Sequence, residues 1–310
     1  MRLGVLDMGS NTIHLQVVDA HPGARPTPAS SQKFELRLTE YLDRNNHITD
    51  EGFDLLNHAT AEVLKHAEEF KCEEILAFAT SAIREADNGE KIIAELRRIH
   101  NIDLQILSGD EEAQITFLAA RRWLGWSAGR LLVLDIGGGS LEMAIGNDES
   151  ASSTLSLPIG AARMTREFLT GDPYTTKSVK ALAQYSKESI EQSVAGELAE
   201  HRADRIVGTS KTFRTLARLT DHWYKDGGAY LEREALVAAI EKLKDLSLSQ
   251  RAALPGVSQS RAKQIVAGAI VAESVMKHLS IERVEICPWA LREGMILQYL
   301  DAMPVQHHRA

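Results

Sequence analysis

The apolar residues of this chain keep two rhythms that alternate along its length. Short apolar runs predict strands at residues 5–6, 13–18, 75–79, 104–107 and 131–134, and again near 141–145, 154–157, 205–207 and 284–287. Residues 34–41 alternate apolar with polar positions, as an edge or half-buried strand does. Between these runs the period lengthens. From Asp50, which can cap a helix, Phe53, Leu56, Ala59, Val63, Leu64 and Ala67 fall on one stripe ending near residue 70. Residues 80–84 turn into a helical pattern reaching about residue 100. Ser108, followed by Asp110, Glu111 and Glu112, opens another that continues to about residue 123. Further helical patterns occupy 161–169, 177–201, 232–246, 258–278 and 290–300, and Gly208-Thr209-Ser210 caps one that begins at Lys211. Residues 21–31 carry three prolines and read as a loop.

The layout repeats. Asp135 lies 128 positions after Asp7, and the same offset lays Gly137 on Gly9 and Ser140 on Thr12. It also lays Arg130, Leu131, Val133 and Leu134 on Arg2, Leu3, Val5 and Leu6. Each copy opens with strand, glycine turn and strand, then alternates strands with helices. An α/β protein of two similar lobes follows, residues 1–125 and 126–310, with a ligand cleft between them. The last helix is a candidate to return toward the first lobe.

Composition removes several classes of function. The longest apolar runs, such as 131–134, fall far short of the roughly 20 residues of a membrane helix, and Asp7 interrupts the N-terminal run too early for a signal peptide. Cys72 and Cys287 supply neither a disulfide framework nor metal-site spacing, so a reducing, cytoplasmic compartment is expected. A net charge of −8 argues against nucleic acid as a general partner; a polyanion would need a local basic groove. The terminal His307-His308-Arg309-Ala310 reads as a frayed tail rather than a metal site.

The two turns match neither a P-loop nor a dinucleotide fingerprint, because a strand follows the glycines. What remains is a pair of β-hairpins whose tips, Gly9-Ser10-Asn11-Thr12 and Gly137-Gly138-Gly139-Ser140, carry glycine and hydroxyl residues. Glycine lets the backbone take positive φ and aim several N–H groups at one point, an arrangement that binds phosphate oxygens. The hydroxyls of Ser10, Thr12 and Ser140 add donors. Asp7 and Asp135, one at each strand end, could hold a magnesium ion through water. Lys211 stands at a helix start behind Gly208 and Ser210, where amides and an ammonium converge on an anion.

As a set, DMGSN, TSAIREA, SGDEEA, DIGGGSLE, LPIGAARMTR, GTSKTF and WALREGMI resemble the exopolyphosphatase and guanosine pentaphosphate phosphohydrolase family over essentially the whole chain. The resemblance implies two ribonuclease-H-like lobes of the actin-like, sugar-kinase-like and Hsp70-like superfamily, an interlobe site and magnesium support. It also implies a homodimer, and the short, two-lobe form of the family. Leu141 stands where the family usually has Thr, and GTSKT replaces a GxSGT-like stretch; these departures bear on substrate length or identity rather than on the class of reaction.

By the same resemblance, Glu112 is the base that activates water, although spacing alone would explain Glu111 and Glu112 equally well as helix-dipole residues. Glu142, seven residues beyond Asp135, would share metal binding with it across the hairpin. Arg84 would reach terminal phosphates through its planar fork. Arg163 and Arg166 either extend a basic path or form a solvated helix face. His14 reads as structural, and Trp123, Trp126 and Trp289 as packing residues. The implied activity is release of terminal phosphate from inorganic polyphosphate, with guanosine pentaphosphate as the alternative substrate. A sugar or acetate kinase fits the two turns but not SGDEEA and REGMI, and an actin-like assembly protein would need an adenosine site.

Overall fold

In the computed structural model, which describes residues 1–225 and 227–303, two mixed sheets carry the fold. The first comprises β1 (Arg2–Met8), β2 (Thr12–Asp19), β3 (Thr27–Glu35), β4 (Glu74–Ala79) and β5 (Leu104–Ile106), in the order β3-β2-β1-β4-β5. The second comprises β6 (Leu131–Ile136), β7 (Leu141–Gly146), β8 (Ser153–Leu157), β9 (Arg205–Gly208), β10 (Tyr230–Glu232) and β11 (Arg283–Ile286), in the order β10-β11-β9-β6-β7-β8. In each sheet the opening hairpin is antiparallel and its first strand runs parallel to the next βα strand, β1 beside β4 and β6 beside β9. The repeat expected from the sequence is therefore a repeat of topology. Residues 304–310, including the four-residue tail singled out above, lie outside the described residues.

The central strands need apolar residues on both faces because helices cover both sides. Leu3, Val5, Leu6 and Met8 in β1, and Leu131, Leu132, Val133 and Leu134 in β6, are all fully or almost fully buried. The helices of the first half are α1 (Asp50–Glu69), α2 (Ser81–Arg84), α3 (Gly89–His100) and α4 (Gly109–Leu124). Those of the second are α5 (Ala161–Phe168), α6 (Thr176–Ser193), α7 (Gly196–Ala199), α8 (Lys211–Tyr224) and α9 (Arg233–Lys244), followed by α10 (Leu248–Ala252), α11 (Gln259–Ala262), α12 (Ile265–His278) and α13 (Leu291–Ala302).

Local expectations fail in five places. The third strand spans Thr27–Glu35, inside the expected loop, and the stretch expected to continue it to Tyr41 is a 3-10 turn at Leu38–Tyr41. Arg37, at φ 50°, takes the left-handed conformation and ends the extended run, while Pro28 is tolerated because β3 is an edge strand. Thr49, rather than Asp50, caps α1, its side chain accepting from the Gly52 amide. The pattern from residue 80 to 100 divides into α2 and α3, because the Asn88 side chain bonds both backbone groups of Ile48 at 2.9 and 2.8 Å instead of letting the helix run on. The patterns at 177–201 and 258–278 divide likewise, into α6 with α7 and α11 with α12.

Two helices cross between the sheets. Ala113, Phe117 and Ala120 of α4 pack with Leu131, Val133, Ala144 and Val207 of the second sheet. Ile296 and Leu300 of α13 pack with Leu3, Val5, Val18 and Phe78 of the first sheet. They touch each other where Gly294 meets the carbonyl oxygen of Ile115; a Cβ on Gly294 would lie 2.1 Å from it. Gly294→Ala is therefore expected to lower the unfolding free energy by roughly 1–3 kcal/mol through overpacking. Urea denaturation would measure this, and an unchanged midpoint would mean that the crossing has slack.

Candidate active site

The two hairpin tips are built alike. Gly9 N–H donates to Thr12 O at 3.0 Å, and Gly137 N–H donates to Ser140 O at 2.9 Å, so the 128-residue offset reproduces the hydrogen bond that closes each turn. The glycines are needed for a reason other than the one expected. None of Gly9, Gly137, Gly138 and Gly139 adopts positive φ. A Cβ on Gly138 would lie 2.8 Å from Ser10 Cβ, and one on Gly139 would lie 2.4 Å from Ser81 Oγ. Their missing side chains let the second lobe's turn rest directly on the first lobe.

Between the lobes opens a cleft of about 450 Å³. Of the expected site residues, Asp7, Gly9, Ser10, Asn11, Thr12, Glu112, Asp135, Gly137, Gly138, Ser140, Glu142, Ser210 and Lys211 line it. Three do not. Gly139 lies against Ser81; Gly208 makes room for the Phe213 ring, 2.6 Å from where a Cβ would sit. Arg84 is held elsewhere, donating to Glu112 and, at 2.7 Å, to Leu107 O, with Glu85 3.5 Å away.

Strand register and helix capping place the carboxylates. Asp135 and Glu142 are direct cross-strand partners in the β6–β7 hairpin, so their side chains share a face. Ser108 and Glu111 form a capping box that opens α4, which consigns Glu111 to the helix start and leaves Glu112, 8% exposed, to turn into the cleft. Burial raises all four acids. Asp7 rises above the ordinary carboxylate range; Asp135 is pushed up to about 6 despite a hydrogen bond from Thr209. Glu142 rises to about 7 through burial and then the charge of Asp135, while accepting a 3.0 Å hydrogen bond from Ser156. Glu112 rises well above its ordinary value through burial and then the charge of Glu142, opposed by Arg84.

Facing these acids is a cationic wall that the sequence reading had not assembled. Lys33, Arg214, Arg218, Arg261 and Arg292 join Lys211 in lining the cleft. Part of it was visible: Lys211, Arg214 and Arg218 stand at i, i+3 and i+7 and so share one face of α8. Lys33, Arg261 and Arg292 come from β3, α11 and α13, and only the tertiary fold brings them there. Burial, with Lys33 and Arg261 nearby, lowers the Lys211 ammonium to about 8. His14 also lines the cleft, bonded to Ser31 Oγ at 2.8 Å. Arg163 and Arg166 lie outside it; Arg163 pairs with Glu85, and Arg166 donates to Thr39 O at 3.3 Å. Trp123 and Trp289 do pack, at 5.4 Å between ring centres, whereas Trp126 is 64% exposed.

A family model described as the Ppx/GppA phosphatase family matches residues 16–303. The chain belongs to the Ppx/GppA phosphatase family. It is 49% identical over 306 residues to Exopolyphosphatase 1 of Mycobacterium tuberculosis, covering 97% of this chain and 89% of that protein. The corresponding protein of Mycobacterium leprae is 48% identical. Among solved structures, an exopolyphosphatase from Cytophaga hutchinsonii superposes with a TM-score of 0.86 at 26% identity, over 98% of this chain and 99% of that one. An Aquifex aeolicus member of the Ppx/GppA family, at 24% identity and a TM-score of 0.80 over 98% and 99%, shares the fold. Two actin-like lobes around an interlobe cleft are thus the architecture of this Ppx/GppA protein.

The raised acids tie stability to pH. Asp135 and Glu142 rise from 3.8 and 4.5 to about 6 and about 7, so between these values the folded state holds protons that the unfolded chain has released. Stability present at low pH is then lost as pH rises through the folded values. In EDTA, the unfolding free energy should fall by roughly 2 kcal/mol between about pH 5 and 8, and Glu142→Gln should flatten the slope. Urea titrations at each pH measure it; a flat wild-type profile would contradict the burial of ionised acids.

Proposed function

We propose that this protein is an exopolyphosphatase that releases orthophosphate from the end of inorganic polyphosphate. The observation that carries the reading is the lining of the cleft. Six cations, Lys33, Lys211, Arg214, Arg218, Arg261 and Arg292, face two phosphate-sized turns, and no Phe, Tyr or Trp is among the lining residues. A repeating polyanion needs charge along its length and nothing else. Guanosine pentaphosphate would also need a surface for its base, which favours polyphosphate over that substrate. The names of the mycobacterial relatives point the same way.

In the reaction, the turn amides and the hydroxyls of Ser10, Thr12 and Ser140 hold the terminal phosphoryl, and Lys211 binds beside it. Glu112 orients a water and takes its proton as the water oxygen bonds to the terminal phosphorus. The bridging P–O bond breaks, and the shortened chain leaves with the bonding electrons as a phosphate anion. Burial raises the proton affinity of Glu112, as accepting a proton from water requires, and Arg84 fixes its carboxylate.

Among the described residues no three His, Cys, Asp or Glu side chains form a ready cage for an ion. That suits magnesium, which commonly takes one or two carboxylates and completes its shell with water and substrate phosphates. Of Asp7, Asp135 and Glu142, one or two would hold it directly and the rest through water, and when bound it would neutralise charge on the phosphate oxygens. A homodimer and a reducing, cytoplasmic location complete the reading, the first from the family and the second from the scarcity of cysteine.

Phosphate release with magnesium would be followed on long polyphosphate, tripolyphosphate, guanosine pentaphosphate and ATP. Wild type should act on the polyphosphates, and Glu112→Gln should lose about 10²–10⁴-fold in kcat. Release from guanosine pentaphosphate alone would move the assignment to that substrate. Arg218→Ala should raise KM for long chains more than for tripolyphosphate, with a weaker salt dependence; equal effects on both would remove Arg218 from the chain's path.

A further inference from the structure

Behind the two turns lies a second cavity of about 410 Å³ between the same lobes. It shares one residue with the cleft, Gln264. That side chain is locked to Asn11 of the first turn by two reciprocal hydrogen bonds, Asn11 Nδ2 to Gln264 Oε1 at 3.1 Å and Gln264 Nε2 to Asn11 Oδ1 at 2.6 Å. Beyond Ser10, the neighbour of Asn11 in the chain, is a void of about 10 Å³, room for one water at most. The void shares Ser10 and Ser81 with the cleft, and Thr39 and Arg166 with the rear cavity. The Ser10 and Ser81 hydroxyls are 3.1 Å apart. The wall between cleft and rear cavity thus carries amides and hydroxyls, with Leu42 and Ala82 the apolar residues at the void.

What lies beyond the wall suits an anion. Arg166, Arg251 and Lys263 border the rear cavity, against Glu40 and Asp172. Arg163, which borders the void, has a buried Nε with no hydrogen-bond partner. The wall is also a lobe-to-lobe seam: Lys263 binds Glu40 at 2.6 Å and Arg166 binds the Thr39 carbonyl at 3.3 Å, in addition to the amide pair. A small relative movement of the lobes would part all three contacts together, and the amides and hydroxyls could pass hydrogen bonds to a departing oxyanion.

An enzyme that trims a polymer from its end has a specific difficulty. The freed orthophosphate sits at the turns while the remaining chain fills the mouth of the cleft. It leaves by the mouth only if the chain dissociates first. We propose that orthophosphate leaves through the Asn11–Gln264 partition into the rear cavity, so that the chain can stay bound and advance. This inference rests on the exopolyphosphatase reading above.

The test separates cleavage from release. Thr39 borders both the void and the rear cavity and takes no part in holding substrate, so Thr39→Trp would plug the route. Leu248→Trp, at an exposed residue that borders the rear cavity and not the seam, narrows the route further out and serves if the first variant does not fold. Rapid-quench cleavage and phosphate release would be followed on long polyphosphate and on tripolyphosphate. Single-turnover cleavage should match wild type on both substrates. Steady-state release from long chains should fall roughly ten-fold in Thr39→Trp, with a burst, because release becomes limiting; Leu248→Trp should fall less. Release from tripolyphosphate should not change, since its pyrophosphate product vacates the mouth. Unchanged release from long chains in both variants, or an equal fall on both substrates, would overturn the rear exit. Failure of the wild type to cleave any polyphosphate would instead overturn the exopolyphosphatase reading, which the same data report separately.

Discussion

The second turn rests on the first lobe with no side chain between them. Gly138 against Ser10 and Gly139 against Ser81 leave no room for even a methyl group, and this contact sets the distance between the two tips. The carboxylates depend on it too. Asp7 and Asp135 end the strands that feed the tips, so bringing the tips together brings buried negative charge together. The resulting rise in proton affinity is an electrostatic cost that the empty protein bears. On the reading proposed above, a polyanionic substrate with magnesium beside the acids would turn that cost into affinity.

Charge is sorted across the cleft rather than mixed. The acids come from strand ends and the start of α4, whereas the cations come from β3, α8, α11 and α13. This separation reconciles a net charge of −8 with a polyanionic ligand, because the field a substrate meets is that of the wall it approaches and not that of the whole surface. It also accounts for Arg84. Placed among the phosphates it would be one more cation; placed on Glu112 it holds the carboxylate for which the base's role is proposed.

The division between what could be read from the sequence and what could not follows the range of the interactions. The tips were legible because a repeat at fixed offset lies within one short stretch of each copy. The Glu111–Glu112 pair was ambiguous by spacing, and only the family resemblance favoured Glu112; the capping box then gave Glu111 its separate task at the helix start. The strand at Thr27–Glu35 was obscured because an edge strand exposes both faces and loses its alternation. The role of the turn glycines was misjudged because their constraint comes from the other lobe, from Ser10 and Ser81, which lie far away along the chain. Lys33, Arg261 and Arg292 have no local pattern in common, so nothing short of the fold could have grouped them.

The exchange of α4 and α13 between the sheets has a consequence for the order in which the protein can be made. As the chain is synthesised, β1 to β5 can pair early, but one face of that sheet, with Leu3, Val5 and Phe78, is covered only in part, by Leu107 and Ile115, until the 12 residues of α13 arrive. The nascent first lobe must carry a partly uncovered apolar face through most of translation, a state prone to association with other chains. The two halves share one plan and each closes a core on one face of its sheet, yet the swap means that the other face is completed by a helix of the other half; α13 acts as the clasp of the first lobe.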